Sequence, residues 1–295
     1  TKHQMLDIKN YKKLNNCINK IKPDYIFHLA AEAIVKDSFL FPKKAWDTNT
    51  IGTINILECL KNYKRNIIAV FITSDKVYKN LEINRGYNEN DFLGGFDPYS
   101  ASKASADIAI QSYFHSFLYK KSKIKICIAR AGNVIGGGDW ATGRIIPDCI
   151  RQWSSSKKVK IRNPNSTRPW QHVLDVLYGY LCLAVKMKKD NSLNGEAFNF
   201  GPKIENKKTV LQVVKEMKKN WAKVSWTISN NKNFKESKLL QLNSMKAKKI
   251  LNWKCKLNFK ETIKLTVQWY KIFYFDKKEI LKITKKQIFD FEKLI

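Results

Sequence analysis

No glycine precedes Gly52, and none of the twelve glycines builds a G-x-x-G-x-x-G string. A parallel sheet that binds a dinucleotide carries a glycine-rich turn after its first strand, where backbone N–H groups meet the pyrophosphate. Residues 1–51 hold no such turn, and the chain runs from Thr1 through Asp7 and Ile8 straight into a helical pattern. The expectation is that about two strands and a helix precede Thr1 in the intact protein, and that these residues alone bind such a cofactor weakly. Cysteine is sparse as well: positions 17, 59, 127, 149, 182 and 255 include no C-x-x-C pair and no neighbouring His at ligand spacing. That excludes a zinc motif and predicts core thiols without disulfides, in a reducing cytoplasm. The longest apolar runs, 67–73 and 176–185, are too short to span a bilayer, and the first residues do not read as a signal peptide. No membrane association is expected.

Acidic residues are scarce too, 25 against 55 Lys and Arg, which leaves a formal charge of +30. A nucleic-acid binder could carry such a charge. Here the lysines are spread along the whole chain, with no aromatic-interleaved basic run and no finger or RNA-binding signature. A general Lys/Asn/Ile bias explains them, and no specific nucleic-acid partner is expected. The same field would draw in any phosphorylated ligand.

What is present is an alternation of buried strands and helices. Residues 9–20, 45–63 and 98–119 have helical spacing, while 24–29, 67–73 and 124–129 read as short strands apolar on both faces. Strand–helix repetition of this kind means a parallel sheet covered by helices, an α/β doubly wound architecture of Rossmann type. After Gly132 the texture changes to a glycine-rich loop, G-N-V-I-G-G-G-D-W (132–140), and mixed short elements. The division expected is a dinucleotide-binding domain over 1–132, rejoined by 172–202. A smaller α+β substrate lobe takes 133–171 and 203–275, and a basic tail covers 276–295.

The chemistry concentrates in two strings. Tyr99 and Lys103, in Y-S-A-S-K, share a helix face at i and i+4. A phenol has a pKa of about 10, and an adjacent cation lowers it toward a usable base. Alone, Y-x-x-x-K is a weak signal. The strand end I-T-S-D-K (72–76) strengthens it by setting Ser74, Asp75 and Lys76 where open sheets collect ligands. Ser74 reads as a hydrogen-bonding hydroxyl, Asp75 as an acid and Lys76 as a base; the plain alternative for the charged pair is a surface turn. His28, at a buried strand end, reads as a satisfied core histidine.

Together H-L-A-A (28–31), T-N-T-I-G-T (48–53), T-S-D-K-V-Y (73–78) and Y-S-A-S-K (99–103) resemble the extended short-chain dehydrogenase/reductases that act on nucleotide sugars, the NAD-dependent epimerases and dehydratases. The longer strings 89–103, A-R-A-G-N-V-I-G-G-G-D-W (129–140), R-I-I-P-D (144–148) and R-P-W-Q-H-V (168–173) are similar to those of CDP-glucose 4,6-dehydratases. Asp75–Lys76 matches that group, where dTDP-glucose dehydratases carry Asp–Glu.

The resemblance implies an NAD-dependent lyase that oxidises C4 of CDP-glucose, eliminates water across C5 and C6 and returns hydride to C6. In that reading Tyr99, Lys103, Ser74, Asp75 and Lys76 are catalytic. Asp7, Ile8, Leu29, Ala30, Ala31, Asn49 and Thr73 line the cofactor with Tyr99 and Lys103. Asn133, Arg144, Arg162, Arg168 and His172 face the nucleotide sugar, His172 being equally suited to a structural hydrogen bond. No metal is implied. Helices 45–63 and 98–119 would pair copies into a homodimer or homotetramer. The alternatives are another nucleotide-sugar dehydratase, a 4-epimerase, or a non-catalytic polyanion binder.

Overall fold

The computed structural model describes residues 2–202, 207–222, 224–228 and 240–295. Parts of the expected substrate lobe, 203–206, 223 and 229–239, lie outside the described residues. The chain begins with α1 (Tyr11–Ile21), whose N-cap Asn10 accepts from the Lys13 amide at 3.1 Å. Strand β1 (Tyr25–His28) and helices α2 (Val35–Leu40) and α3 (Pro42–Trp46) follow. A π-helical turn, Asp47–Ile51, joins α3 to α4 (Gly52–Lys61). Then come β2 (Ile67–Ile72), α5 (Pro98–Tyr113) with a second π turn at Phe114–Leu118, and β3 (Ile124–Ala131).

These strands are parallel, and β8 (Ala197–Phe200) completes a four-stranded sheet in the order β1-β2-β3-β8. Its residues alternate between two cores. Ile67, Ala69 and Phe71 face Leu57, Leu60, Ile110 and Phe114 of α4, α5 and the second π turn. Ile68 and Val70 face Val176, Leu183 and Met187 of α7 (Val173–Lys189), with Leu251 of α9 (Met245–Leu251). Each buried Leu, Ile or Phe contributes about 1.5–3 kcal/mol relative to exposure, so a polar residue in the sheet needs hydrogen-bond partners.

Between β3 and α7 the chain leaves the sheet. It passes through β4 (Val134–Ile135), α6 (Ile145–Ser154), β5 (Val159–Ile161), β6 (Thr167–Pro169) and β7 (Gln171–His172). This lobe closes with β9 (Lys207–Thr209), α8 (Val210–Lys218), β10 (Trp226–Ile228) and α10 (Phe259–Phe275). Three two-stranded ladders, β4–β7, β5–β10 and β6–β9, stitch it together. Its separate core joins Ile150, Trp153, Ile161, Val213, Met217, Trp221, Ile263 and Tyr270. Capping boxes start α8 (Thr209 with Gln212) and α10 (Asn258 with Glu261).

The segment expected as a basic tail contains a helix, α11 (Ile280–Glu292). It buries Ile283 and Phe291, and Gln287 donates to the Leu265 carbonyl of α10 at 2.9 Å. Its lysines occupy the outer face of an amphipathic helix, with Lys282 and Lys286 exposed. All six cysteines are free, and among the described residues no helix is long and apolar enough to cross a membrane.

Candidate active site

The site forms where the carboxyl end of β2 meets the start of α5. Asp97 caps α5 by accepting from the Ser100 amide at 2.9 Å and the Ser100 hydroxyl at 2.6 Å, and Pro98 takes the first helical position. Tyr99 therefore falls in the first turn, and its otherwise unpaired amide donates to Ser38 Oγ of α2 at 3.1 Å. Lys103 follows one turn later. Both side chains are buried.

Strand β2 ends in a tight turn that buries Ser74 and Asp75. The Asp75 carboxylate accepts from Ser74 Oγ at 3.0 Å, from Lys76 Nζ at 3.2 Å and from Asn133 Nδ2 at 3.3 Å. Ser74 Oγ in turn accepts from the Lys76 amide at 3.2 Å and adjoins the Tyr99 phenol. Hydroxyl, acid, amine and phenol thus form one contiguous cluster. Gly132 makes this possible, because a Cβ there would lie 2.1 Å from Asp75 Cγ.

Electrostatics reassign two expected roles. Burial pushes the Tyr99 phenol up; Lys76 and then the Ser74 hydrogen bond pull it back, while Asp75 adds to the rise. The cation beside the phenol is therefore Lys76, whereas Lys103 Nζ donates to the Ile72 carbonyl at 3.2 Å. Lys103 itself is lowered to about 8 by burial, against the pull of Asp107. Lys76 was expected to be partly neutral. Burial does act in that direction, but Asp75 and the phenol outweigh it and its pKa ends up raised. In the resting site Lys76 is an ammonium, ion-paired with Asp75.

The remaining candidates divide by position. Thr73 donates to Asp107 at 3.1 Å. Asn49, in the π turn, is buried; it donates to the Glu32 carbonyl at 3.1 Å and to Ser102 Oγ at 2.9 Å, and accepts from the Glu32 amide at 2.9 Å. It thereby fixes the chain that follows Leu29, Ala30 and Ala31. Leu29 and Ala30 are exposed at the end of β1, and Ala31 is half-buried. Asp7 and Ile8 lie over α4, away from the cluster: Asn55 Nδ2 donates to the Ile8 carbonyl at 2.9 Å, and Asp7 pairs with Lys9. His28 is buried, lowered to about 3 by burial and by Lys103, and bonded to Thr53 Oγ1 at 3.0 Å. Thr53 donates its own proton to the Asn49 carbonyl, so His28 is the neutral donor of that pair.

In the lobe, Asn133 takes a left-handed backbone (φ 52°) that aims its amide at Asp75. Arg144 is held by Asp139 at 2.9 Å and lowers the Tyr99 phenol, so it borders the cluster. Arg168 acts on Lys76 and donates to the Thr167 carbonyl at 2.8 Å. Arg162 is exposed and donates to the Gly143 carbonyl at 3.0 Å. His172 is drawn into a structural position. Its Nδ1 accepts from the Leu174 amide at 3.3 Å and caps α7, and burial lowers it to about 4.

With this geometry in place, the sequence model of the family described as GDP-mannose 4,6 dehydratase matches residues 2–266. The chain belongs to that family. As a member of this family it has a curated relative, the CDP-glucose 4,6-dehydratase of Salmonella typhimurium. That protein is 38% identical over 290 residues, an alignment covering 97% of this chain and 80% of the relative. The dTDP-glucose 4,6-dehydratase of Bacillus anthracis, solved in complex with NAD, superposes with a TM-score of 0.73 at 24% identity, covering 94% of this chain and 81% of that one. The UDP-glucose 4-epimerase of Brucella ovis, also with NAD, gives 0.78 at 17% identity, covering 90% and 84%. These two structures establish a Rossmann-type fold.

Sequence reasoning missed three residues that shape the site. Ser38 holds the Tyr99 amide, and Ser102 joins Asn49 to the Tyr99 carbonyl (2.8 Å). Gly132 admits Asp75. A glycine opening the 132–140 loop was visible, but its reason was a contact from 57 positions earlier (132 − 75).

Proposed function

We propose that the chain removes water from CDP-D-glucose to give CDP-4-keto-6-deoxy-D-glucose, using NAD that is regenerated in each cycle. The donor set fits the nicotinamide and ribose half of NAD. Tyr99 and Lys103 stand at the carboxyl end of β2, and the exposed 29–31 segment, fixed by Asn49, offers a backbone wall. When bound, NAD supplies a two-electron acceptor for C4 and gives the electrons back at C6.

The chain's own residues move the protons. Tyr99 takes the O4 proton while Ser74 holds that oxygen. The C4 ketone acidifies C5–H; Lys76 removes the C5 proton and gives it back to C5 as C6 is reduced, and Asp75 protonates the departing C6 hydroxyl, which leaves as water. A single proton shift across the 3.2 Å Lys76–Asp75 contact converts the resting ammonium–carboxylate pair into the amine and acid these roles require. Asn133, Arg144, Arg162 and Arg168 surround the diphosphate, Arg offering bidentate donors; His172 supports them from its capped position. Exposed Trp46, Ile51, Ile108 and Phe117 on the outer helices suit pairing into a homodimer or homotetramer. Free, mostly buried thiols suit the cytoplasm.

The observation that carries this reading is the Asp75–Lys76 pair against the Tyr99 phenol. Epimerisation at C4 needs no second acid and base, whereas elimination does. The test supplies the purified protein and NAD with CDP-glucose, dTDP-glucose and UDP-glucose, and follows keto-sugar absorbance in alkali. CDP-glucose should turn over fastest. Turnover of dTDP-glucose alone overturns the substrate, and interconversion of 4-epimers without a keto sugar overturns the reaction.

A further inference from the structure

Beneath the cluster lies a buried network that the proton steps do not use. Asp107 is fully buried on α5, one turn beyond Lys103. Its carboxylate accepts from Arg130 Nε at 2.8 Å and Nη2 at 2.7 Å, from Thr73 Oγ1 at 3.1 Å and from Gln111 Nε2 at 2.8 Å. Arg130, from β3, is just as buried and reaches on to Tyr78 Oη at 2.8 Å and the Glu89 carbonyl at 3.0 Å. Tyr78 follows the Ser74–Lys76 turn and donates to Asn199 of β8 at 2.7 Å. One carboxylate therefore connects the helix of Tyr99 and Lys103, the strand end before Ser74, and the strand leading to Gly132 and Asn133.

We propose that Asp107 is the positioning residue of this site: clamped by Arg130, it registers the phenol–ammonium helix against the Ser74–Asp75–Lys76 turn and keeps Lys103 cationic. The inference rests on the function proposed above only for what the site turns over, because the network stands without a substrate. A buried ion pair made merely for stability is often replaceable by apolar groups. This one differs in bonding the catalytic strand end directly and in placing its negative charge four residues from the ammonium. The groups facing Lys103 are neutral His28 from β1, the Ile72 carbonyl from β2, and Asp107 from its own helix. Those facing Asp107 are Arg130, Thr73 and Gln111. Asp107 is thus the anion that opposes the burial of Lys103.

Asp107→Asn and Asp107→Glu test this. Competitive acetylation of Lys103 across pH, read by mass spectrometry, needs neither substrate nor NAD. The wild-type midpoint is expected near about 8. Folded Asp107→Asn should move it down by about one pH unit or more, and the alkaline limb of kcat should move with it. Asp107→Glu keeps the charge one methylene further out. It should hold the midpoint and lower kcat about tenfold with KM little changed. An unmoved midpoint in Asn, or full kcat in Glu, overturns the inference. Should Asn fail to fold, the wild-type midpoint decides, since a value below neutrality means that no carboxylate sustains the ammonium. A shifted midpoint in a protein that turns over no nucleotide sugar would leave Asp107 in place and remove only the reaction.

Discussion

At the scale of single residues, Lys76 has the most to explain. It is the cation beside the phenol and also half of the ion pair with Asp75. Lys76→Ala should therefore slow the oxidation at C4, since burial then raises the phenol with less opposition, and should slow elimination far more. Stopped-flow absorbance of the reduced cofactor should show slower but measurable formation. Keto-deoxy product should fall by about 10²–10⁴-fold, and product at the wild-type rate would remove Lys76 as the base. That Ser74, Asp75, Lys76, Tyr99 and Lys103 gather at one end of the sheet was legible because each sits at a strand end or helix turn whose register follows from local pattern. Which amine neighbours the phenol was not. The i,i+4 rule places Lys103 on the right face of α5, but its Nζ is captured by the Ile72 carbonyl, an acceptor 31 residues away.

Elements show the same division. The long helices and the buried strands of the main sheet were readable from periodicity, since strands covered on both faces leave unbroken apolar runs. The ladders β4–β7, β5–β10 and β6–β9 were not, because strands of two or three residues carry no period to read. The two π turns also passed unnoticed inside helical runs; one of them aims Asn49 inward. The loop after β3 is where packing and chemistry meet most tightly. Gly132→Ala places a methyl on the Asp75 carboxylate, and overpacking of this kind costs about 1–3 kcal/mol. A modest fall in Tm with a kcat loss of about a hundredfold is expected from thermal melts and steady-state assays. Activity near wild type would mean that Asp75 is free to move without consequence.

For the molecule as a whole, the lysines behind the charge of +30 decorate outer faces such as that of α11, while the cores are built from apolar residues. More informative is the apolar surface left on the outer helices, where Ile108 is half-exposed in the middle of α5. Under the proposed pairing, Ile108→Glu should give single chains in light scattering and leave the secondary structure unchanged. An unaltered mass would place the interface elsewhere.

The segment between β3 and α7 departs from the sheet and returns beside its own exit. There the Gln171 side chain donates to the Gly132 carbonyl at 3.0 Å, and the Gln171 amide to the Asn133 carbonyl at 3.3 Å. Outgoing and returning strands β4 and β7 are thus stapled side by side. Asp75 is wedged against that staple through Gly132 and Asn133. In the proposed reaction, any shift of this segment on binding a sugar nucleotide would reach the Asp75 carboxylate through those two residues, which would link capture of the ligand to readiness of the acid.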